Sequence, residues 1–191
     1  MTAEITHGFQ YKTGVIHGRF QVLHKDHMKY LSAGKALCDH LVIGITNPDP
    51  HRMRDEASDP GRTAPGANPL TYYERYLMIQ AAMHEAGYGF EQFSIVPLPI
   101  NFPELYAFYV PVDGVFFISI YDDWGRRKLQ YFKDLGLKTH VLWEVMPEQK
   151  GMSATRIRDK MIKNQPWDQD VPDSAAGLLK KWDIPKRLQK Q

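Results

Sequence analysis

The chain has 191 residues, 43% of them hydrophobic, with 24 Lys and Arg against 22 Asp and Glu for a net charge of +2. That length suits one domain of roughly 100–200 residues, with enough core to need no disulfide or metal staple, and the balanced charge gives no case for a nucleic-acid partner. The single cysteine, Cys38, excludes an intramolecular disulfide and a cysteine-based zinc cage.

The start has no basic segment followed by an apolar run, and the most apolar stretch, Val115 to Tyr121, is too short to span a bilayer. The expectation is a cytoplasmic protein with no membrane partner. In chain order, the pattern alternates short β-branched runs with helical periodicity. Thr13 to His17 reads as a first strand ending at Gly18, Lys25 to Ala36 as a helix, and His40 to Ile45 as a second strand, which makes a βαβ unit. Thr46 to Pro69 holds five prolines and reads as a long loop. Thr71 and Glu74 form a capping-box signature for a helix ending near Gly87. Phe93 to Pro97 reads as a third strand and Pro103 to Tyr109 as a short helix. Val112 to Ile120 is a near-continuous apolar run, as expected of a strand covered on both faces. Asp122 or Asp123 caps the next helix, to Leu135, and Thr139 to Val145 is a fifth strand. Ser153 caps a helix to Ile162, and Pro172 to Ser174 begins a last helix to about Trp182. The tail from Ile184 to Gln191 reads as polar, basic and frayed. This alternation predicts an α/β fold, a doubly wound and mostly parallel sheet, with its ligand site beyond the carboxyl ends of the strands.

Two segments carry chemistry. In His17 to His27, Gly18 permits close backbone approach after the strand, and Arg19 and Lys25 supply cationic donors. His24 and His27 sit three apart at the opening of a helix, whose free amides and dipole favour an anion. The combination suits a nucleoside triphosphate, with the histidines donating to oxygens that gain charge in phosphoryl transfer. His24, Asp26 and His27 also allow a metal reading, for which no fourth ligand is evident. In Met152 to Arg158, Ser153 and Thr155 offer hydroxyls and amides at a helix start, with Arg156 and Arg158 on the next turn.

With these segments in place, the chain resembles the nucleotidyltransferase superfamily that carries HxGH and ISxTxIR signatures. Within it, the chain is similar to the archaeal-type nicotinamide-nucleotide adenylyltransferases. The matching stretches are Gly18 to Gln21, His24 to His27, Asn68 to Arg75, Met152 to Arg158, and the segment from Pro166 to Pro172. The resemblance implies a single nucleotidyltransferase domain over 1–191, with a Rossmann-like core over 13–150. Residues 151–191 would form a phosphate-binding helix and a helical C-terminal segment. It implies that a mononucleotide is joined to the adenylyl group of ATP, with pyrophosphate released and Mg²⁺ carried by the triphosphate rather than by direct protein ligation. By position, His24, His27 and Arg19 would be catalytic. Gly18, Lys25, Ser153, Thr155 and Arg158 would hold the ATP phosphates, and Arg75 would organise the acceptor end. Asn101, Phe102, Tyr106 and Trp124 are candidates to stack on and hydrogen-bond a pyridine ring. A homo-oligomer is also expected from the family.

The chain departs from that pattern in four places. Asp26 replaces the glycine of HxGH, and a carboxylate beside a triphosphate is unfavourable unless it points away or meets a cation. Three readings of Asp26 stand: benign, acting through Mg²⁺, or marking altered chemistry. Val22 stands where the family has proline. Tyr121 to Trp124 replaces a Gly-Asn turn that meets the adenosine in the family. The long loop carries Arg52, Arg54 and Arg62 and reads as a candidate lid. The leading expectation is therefore an adenylyltransferase for nicotinamide or nicotinate mononucleotide. The alternatives are the same chemistry on another phosphorylated acceptor or with CTP, and a silent nucleotide-binding protein.

Overall fold

The computed structural model of the chain describes residues 8–49, 65–149 and 151–190; the proposed lid residues Arg52, Arg54 and Arg62 lie outside them. Five strands form one sheet: β1 (Tyr11–Gly18), β2 (Cys38–Thr46), β3 (Phe93–Leu98), β4 (Val115–Ile120) and β5 (Lys138–Glu144). Their order is β3-β2-β1-β4-β5 and every pairing is parallel. The chain thus winds outward from β1 in one direction and resumes on its other side at β4. The carboxyl ends of β1 and β4 define the switch point at which open α/β sheets bind ligands.

Helices cover both faces. The long α1 (Lys25–Leu37) and α2 (Tyr72–Glu85) pack with α4 (Ala154–Ile162), α5 (Asp173–Lys181) and α6 (Ile184–Gln189) on one face, around Ile16, Leu31, Ile43, Met78, Phe117 and Ile157. On the other face α3 (Asp123–Asp134) packs Phe132 against Val15, Val42, Leu98, Phe116 and Ile118. Strand alternation explains the division, since neighbouring residues of β1 point to opposite faces. The capping box at Thr71 and Glu74 forms as expected, at 3.1 and 2.8 Å. Gly87 and Gly136 adopt φ of +89° and +74° just past α2 and α3, conformations disfavoured by a side chain.

Two expectations are corrected. The strand expected from Val112 begins at Val115, because Asp113 and Gly114 lie in a turn in which the Gly114 amide bonds to the Pro111 carbonyl at 3.1 Å. The short helix expected from Pro103 forms as a 3₁₀ helix, Pro103–Phe108. The C-terminal segment is not frayed. It folds as α6, burying Ile184 and Leu188 beside α4 and α5, while Arg187 makes a two-pronged ion pair with Glu74 at 2.8 and 2.9 Å. Ile184 and Leu188, four apart, fall on one side of this six-residue helix, and tertiary packing rather than the local pattern holds it. Burying them stabilises the fold by roughly 1.5–3 kcal/mol each.

Candidate active site

The loop after β1 is held from beneath. Gly18 is required by its neighbour, because a Cβ there would enter the ring of Phe20. Phe20 itself has φ of +51° and is fully buried. Gln21 exchanges two hydrogen bonds with the backbone of Leu70, at 2.8 and 2.9 Å. Arg75, buried in α2, donates to the carbonyls of Arg19, Thr46, Asn47 and Thr71. One guanidinium so ties the ends of β1 and β2 to the start of α2. Burial pushes its pKa down to about 10, with Tyr72 opposing and Arg19 adding to the fall, and it remains cationic at neutral pH.

His24 and His27 cap α1 with their own rings. The amide of His27 donates to Nδ1 of His24 at 3.3 Å, and the amide of His24 donates to Nδ1 of His27 at 3.4 Å. The rings stack at 3.7 Å between centroids and 26° between planes. Because both Nδ1 atoms accept, each neutral ring carries its proton on Nε2. Burial lowers His24 to about 4 against the opposing charges of Asp26 and Asp170. Burial first, then His24 and Arg19, hold His27 well below the ordinary range. The pair is therefore neutral at physiological pH. Two Nε2–H donors with a fixed tautomer line the cleft.

The segment from Met152 to Thr155 faces the same cleft. Ser153 caps α4 by accepting from the Arg156 amide at 3.3 Å. Ser153 and Thr155 line the cleft, whereas Arg158 lies beneath it, bonded to the Gln21 carbonyl and, at 3.2 Å, to Thr155 Oγ1. Asp26 joins the two segments. Its Oδ2 accepts the Met152 amide at 2.5 Å and its Oδ1 meets the Lys29 ammonium at 2.9 Å. A Cβ on Gly151 would fall on this carboxylate. Burial works to raise the Asp26 pKa, but Lys29 and the Met152 amide outweigh it and hold the group below the usual carboxylate value. The motif's glycine position has thus become a charged latch between the start of α1 and the loop before α4.

The cleft, about 780 Å³, also collects Asn101, Trp124, Lys128 and His17 on the α3 side. Lys128 sits 4.5 Å over the Trp124 ring, as the i, i+4 spacing on α3 allows. Asp122 caps α3 by accepting from Gly125 at 3.0 Å. Of the residues singled out from sequence, Gly18, Arg19, His24, His27, Ser153, Thr155, Asn101 and Trp124 line this one cleft. Lys25, Arg75, Phe102, Tyr106 and Arg158 do not. Lys25 is exposed, and Tyr106 is buried with its hydroxyl on the Ile100 carbonyl at 2.6 Å. Sequence reasoning missed His17, Gln21, Arg127 and Lys128 as cleft residues. Strand alternation from Val15 to His17 and the Trp124–Lys128 spacing were the signals that would have found two of them.

The sequence matches the Cytidylyltransferase-like family over residues 15–160. A phosphonoformate cytidylyltransferase from Streptomyces viridochromogenes is 48% identical over 176 residues, covering 92% of this chain and 95% of that protein. A nicotinamide-nucleotide adenylyltransferase from Pyrococcus horikoshii is 32% identical over 177 residues, covering 92% and 86%. Among solved structures, a bifunctional NMN adenylyltransferase/ADP ribose pyrophosphatase from Francisella tularensis superposes with a TM-score of 0.64 at 18% identity. It matches 92% of this chain, which spans about half (52%) of that protein. A second structure of it, complexed with AMP and a manganese ion, gives 0.53 at 17%. No helix among the described residues is long and apolar enough to cross a membrane. The chain belongs to the cytidylyltransferase-like family and is a nucleotidyltransferase.

Proposed function

We propose that the protein transfers the cytidylyl group of CTP to a small phosphonate acceptor of the phosphonoformate kind and releases pyrophosphate. The observation that carries this reading is the 48% identity to a phosphonoformate cytidylyltransferase along nearly the whole of both chains. It displaces the expectation of ATP and a pyridine mononucleotide in favour of the CTP alternative. The replacement of the Gly-Asn turn by Tyr121 to Trp124 supports the change, because that turn meets the adenosine in the adenylyltransferases.

The cleft supplies what the reaction needs. The triphosphate lies between the α1 and α4 starts, with the Nε2–H groups of His24 and His27 and the groups of Ser153 and Thr155 as donors. Arg19 stands near the joined phosphorus centres. A phosphonate oxygen attacks the α-phosphorus in line, a P–O bond forms, and the bond to pyrophosphate breaks. Electrostatic positioning carries the step, and no protein nucleophile takes part. Cys38 opens β2 at the sheet end opposite the cleft, roughly 26 Å away at 3.3 Å per residue. It is buried, with its thiol on the Gly34 carbonyl. Magnesium fits as a passenger on the triphosphate, where it would neutralise phosphate charge. The cleft carboxylates Asp26 and Asp122 are engaged by backbone amides.

A second reading, adenylyl transfer to nicotinamide mononucleotide, is favoured by the 32% relative and by Asn101 in the cleft. Pyrophosphate release from the purified protein with Mg²⁺ separates the two. CTP and ATP are each offered phosphonoformate, nicotinamide mononucleotide, nicotinate mononucleotide and polyol phosphates. Release with CTP and phosphonoformate, with a cytidylylated product on chromatography, is expected. Release confined to ATP with a pyridine mononucleotide replaces the first reading with the second.

A further inference from the structure

His17 is the penultimate residue of β1, 7% exposed, and it lines the cleft. Neither ring nitrogen has a hydrogen-bond partner. Buried polar groups are nearly always satisfied, and an orphaned imidazole inside a cleft therefore marks a place where something else supplies the partner. The ring is held rather than mobile, packed 5.1 Å from the Phe132 ring at 60°.

Its position selects which end of the cleft it serves. His17 alternates with Ile16 and shares the face of Val15, the face that α3 covers. His24, His27 and the α4 start lie on the other side of β1. Ser119 of β4 and Lys128 of α3 line the same cleft, and the Lys128 charge, after burial, lowers the protonation of His17. A neutral imidazole here offers one N–H donor beside an ammonium, a pairing that suits an oxyanion rather than a base or a ring.

We propose that His17, with Lys128, binds the oxyanion of the acceptor. This rests on the reading of the cleft as the transferase site, and deepens it by naming the acceptor-binding group. His17 contacts the acceptor and leaves the triphosphate to the other half of the cleft.

The test uses the full chain. In His17→Leu the KM for the acceptor rises at least tenfold, while the KM for CTP stays within twofold. His17→Gln, which restores an amide donor, recovers part of the loss. Thermal melts within a few degrees of the parent show that both variants fold. In parallel, ring-nitrogen NMR of ¹⁵N-histidine protein follows His17, assigned by its loss in His17→Gln, as phosphonoformate is added. A shift of its signals at saturation is expected. An unchanged acceptor KM in His17→Leu, or His17 signals that stay fixed while other histidines shift, overturns the assignment. If the parent turns over a different acceptor, the phosphonoformate reading fails on its own, and the same two measurements with that acceptor decide the role of His17.

Discussion

Replacing Asp26 by alanine tests whether this residue is a latch. The substitution removes a charge-assisted bond to the Met152 amide at 2.5 Å and a pair with Lys29, whose side chain is 76% exposed. The exposed pair is worth under about 1 kcal/mol. The bond to the amide carries about 1.5–3 kcal/mol, the usual range when one partner is charged. Because Gly151 and Met152 can turn toward water once released, the lower half of that range applies, and the net loss is about 2 kcal/mol. At about 2–4 °C per kcal/mol for a chain of this size, the melting temperature falls by roughly 4–8 °C. Asp26→Asn keeps an acceptor oxygen and loses the charge, so its drop is about half as large. The α4 loop also loses its tie to α1, and the KM for the nucleotide rises severalfold in Asp26→Ala. Differential scanning calorimetry and initial rates measure both. A melting temperature within 1 °C of the parent and an unchanged nucleotide KM would refute the latch.

If His24 and His27 are donors to developing charge, as proposed, replacing either by alanine lowers kcat by about 10²–10³ with the acceptor KM little changed; stopped-flow pyrophosphate detection checks this, and near-normal turnover removes the assignment. His24 is neutral in the fold with a pKa of about 4 against an ordinary 6.5. The unfolded chain thus binds the extra proton first, and stability present above pH 6.5 is lost as pH falls to about 4. This amounts to on the order of 3 kcal/mol, with His27 and His17 acting in the same sense. Urea midpoints between pH 7.5 and 4.5 measure the slope, which flattens in His24→Asn. Leu188→Ala opens a cavity under α6 and costs about 2–4 kcal/mol, read from the same midpoints; a loss below 0.5 kcal/mol would return the C-terminal segment to a frayed tail.

Much of the fold was legible because its signals are local. The strands are enriched in β-branched and aromatic residues, each long helix has a capping residue or a closing glycine, and α1 and α2 begin where His24 and Thr71 place them. The half of the cleft built from the starts of α1 and α4 was legible for the same reason. A glycine after a strand, two histidines at a helix start and Ser153 at another are contiguous patterns whose meaning comes from helix ends. The C-terminal helix was not legible, since Ile184 and Leu188 are two apolar residues in a basic stretch. Their burial depends on the groove between α4 and α5 and on the distant partner Glu74.

Asp26 and His17 divide what sequence and tertiary structure each decide. Sequence alone determined that Asp26 stands at a helix start beside two histidines. The meeting with Met152, 126 positions away, decided that its carboxylate joins two loops. Sequence likewise placed His17 at the end of a strand. Only the packing of α3 against β1 set the Phe132 ring against it, left both nitrogens unpaired and brought Lys128 to the same cleft. Local patterns follow from neighbours in the chain, whereas the charge state and hydrogen-bond balance of a buried group follow from whatever the fold brings against it.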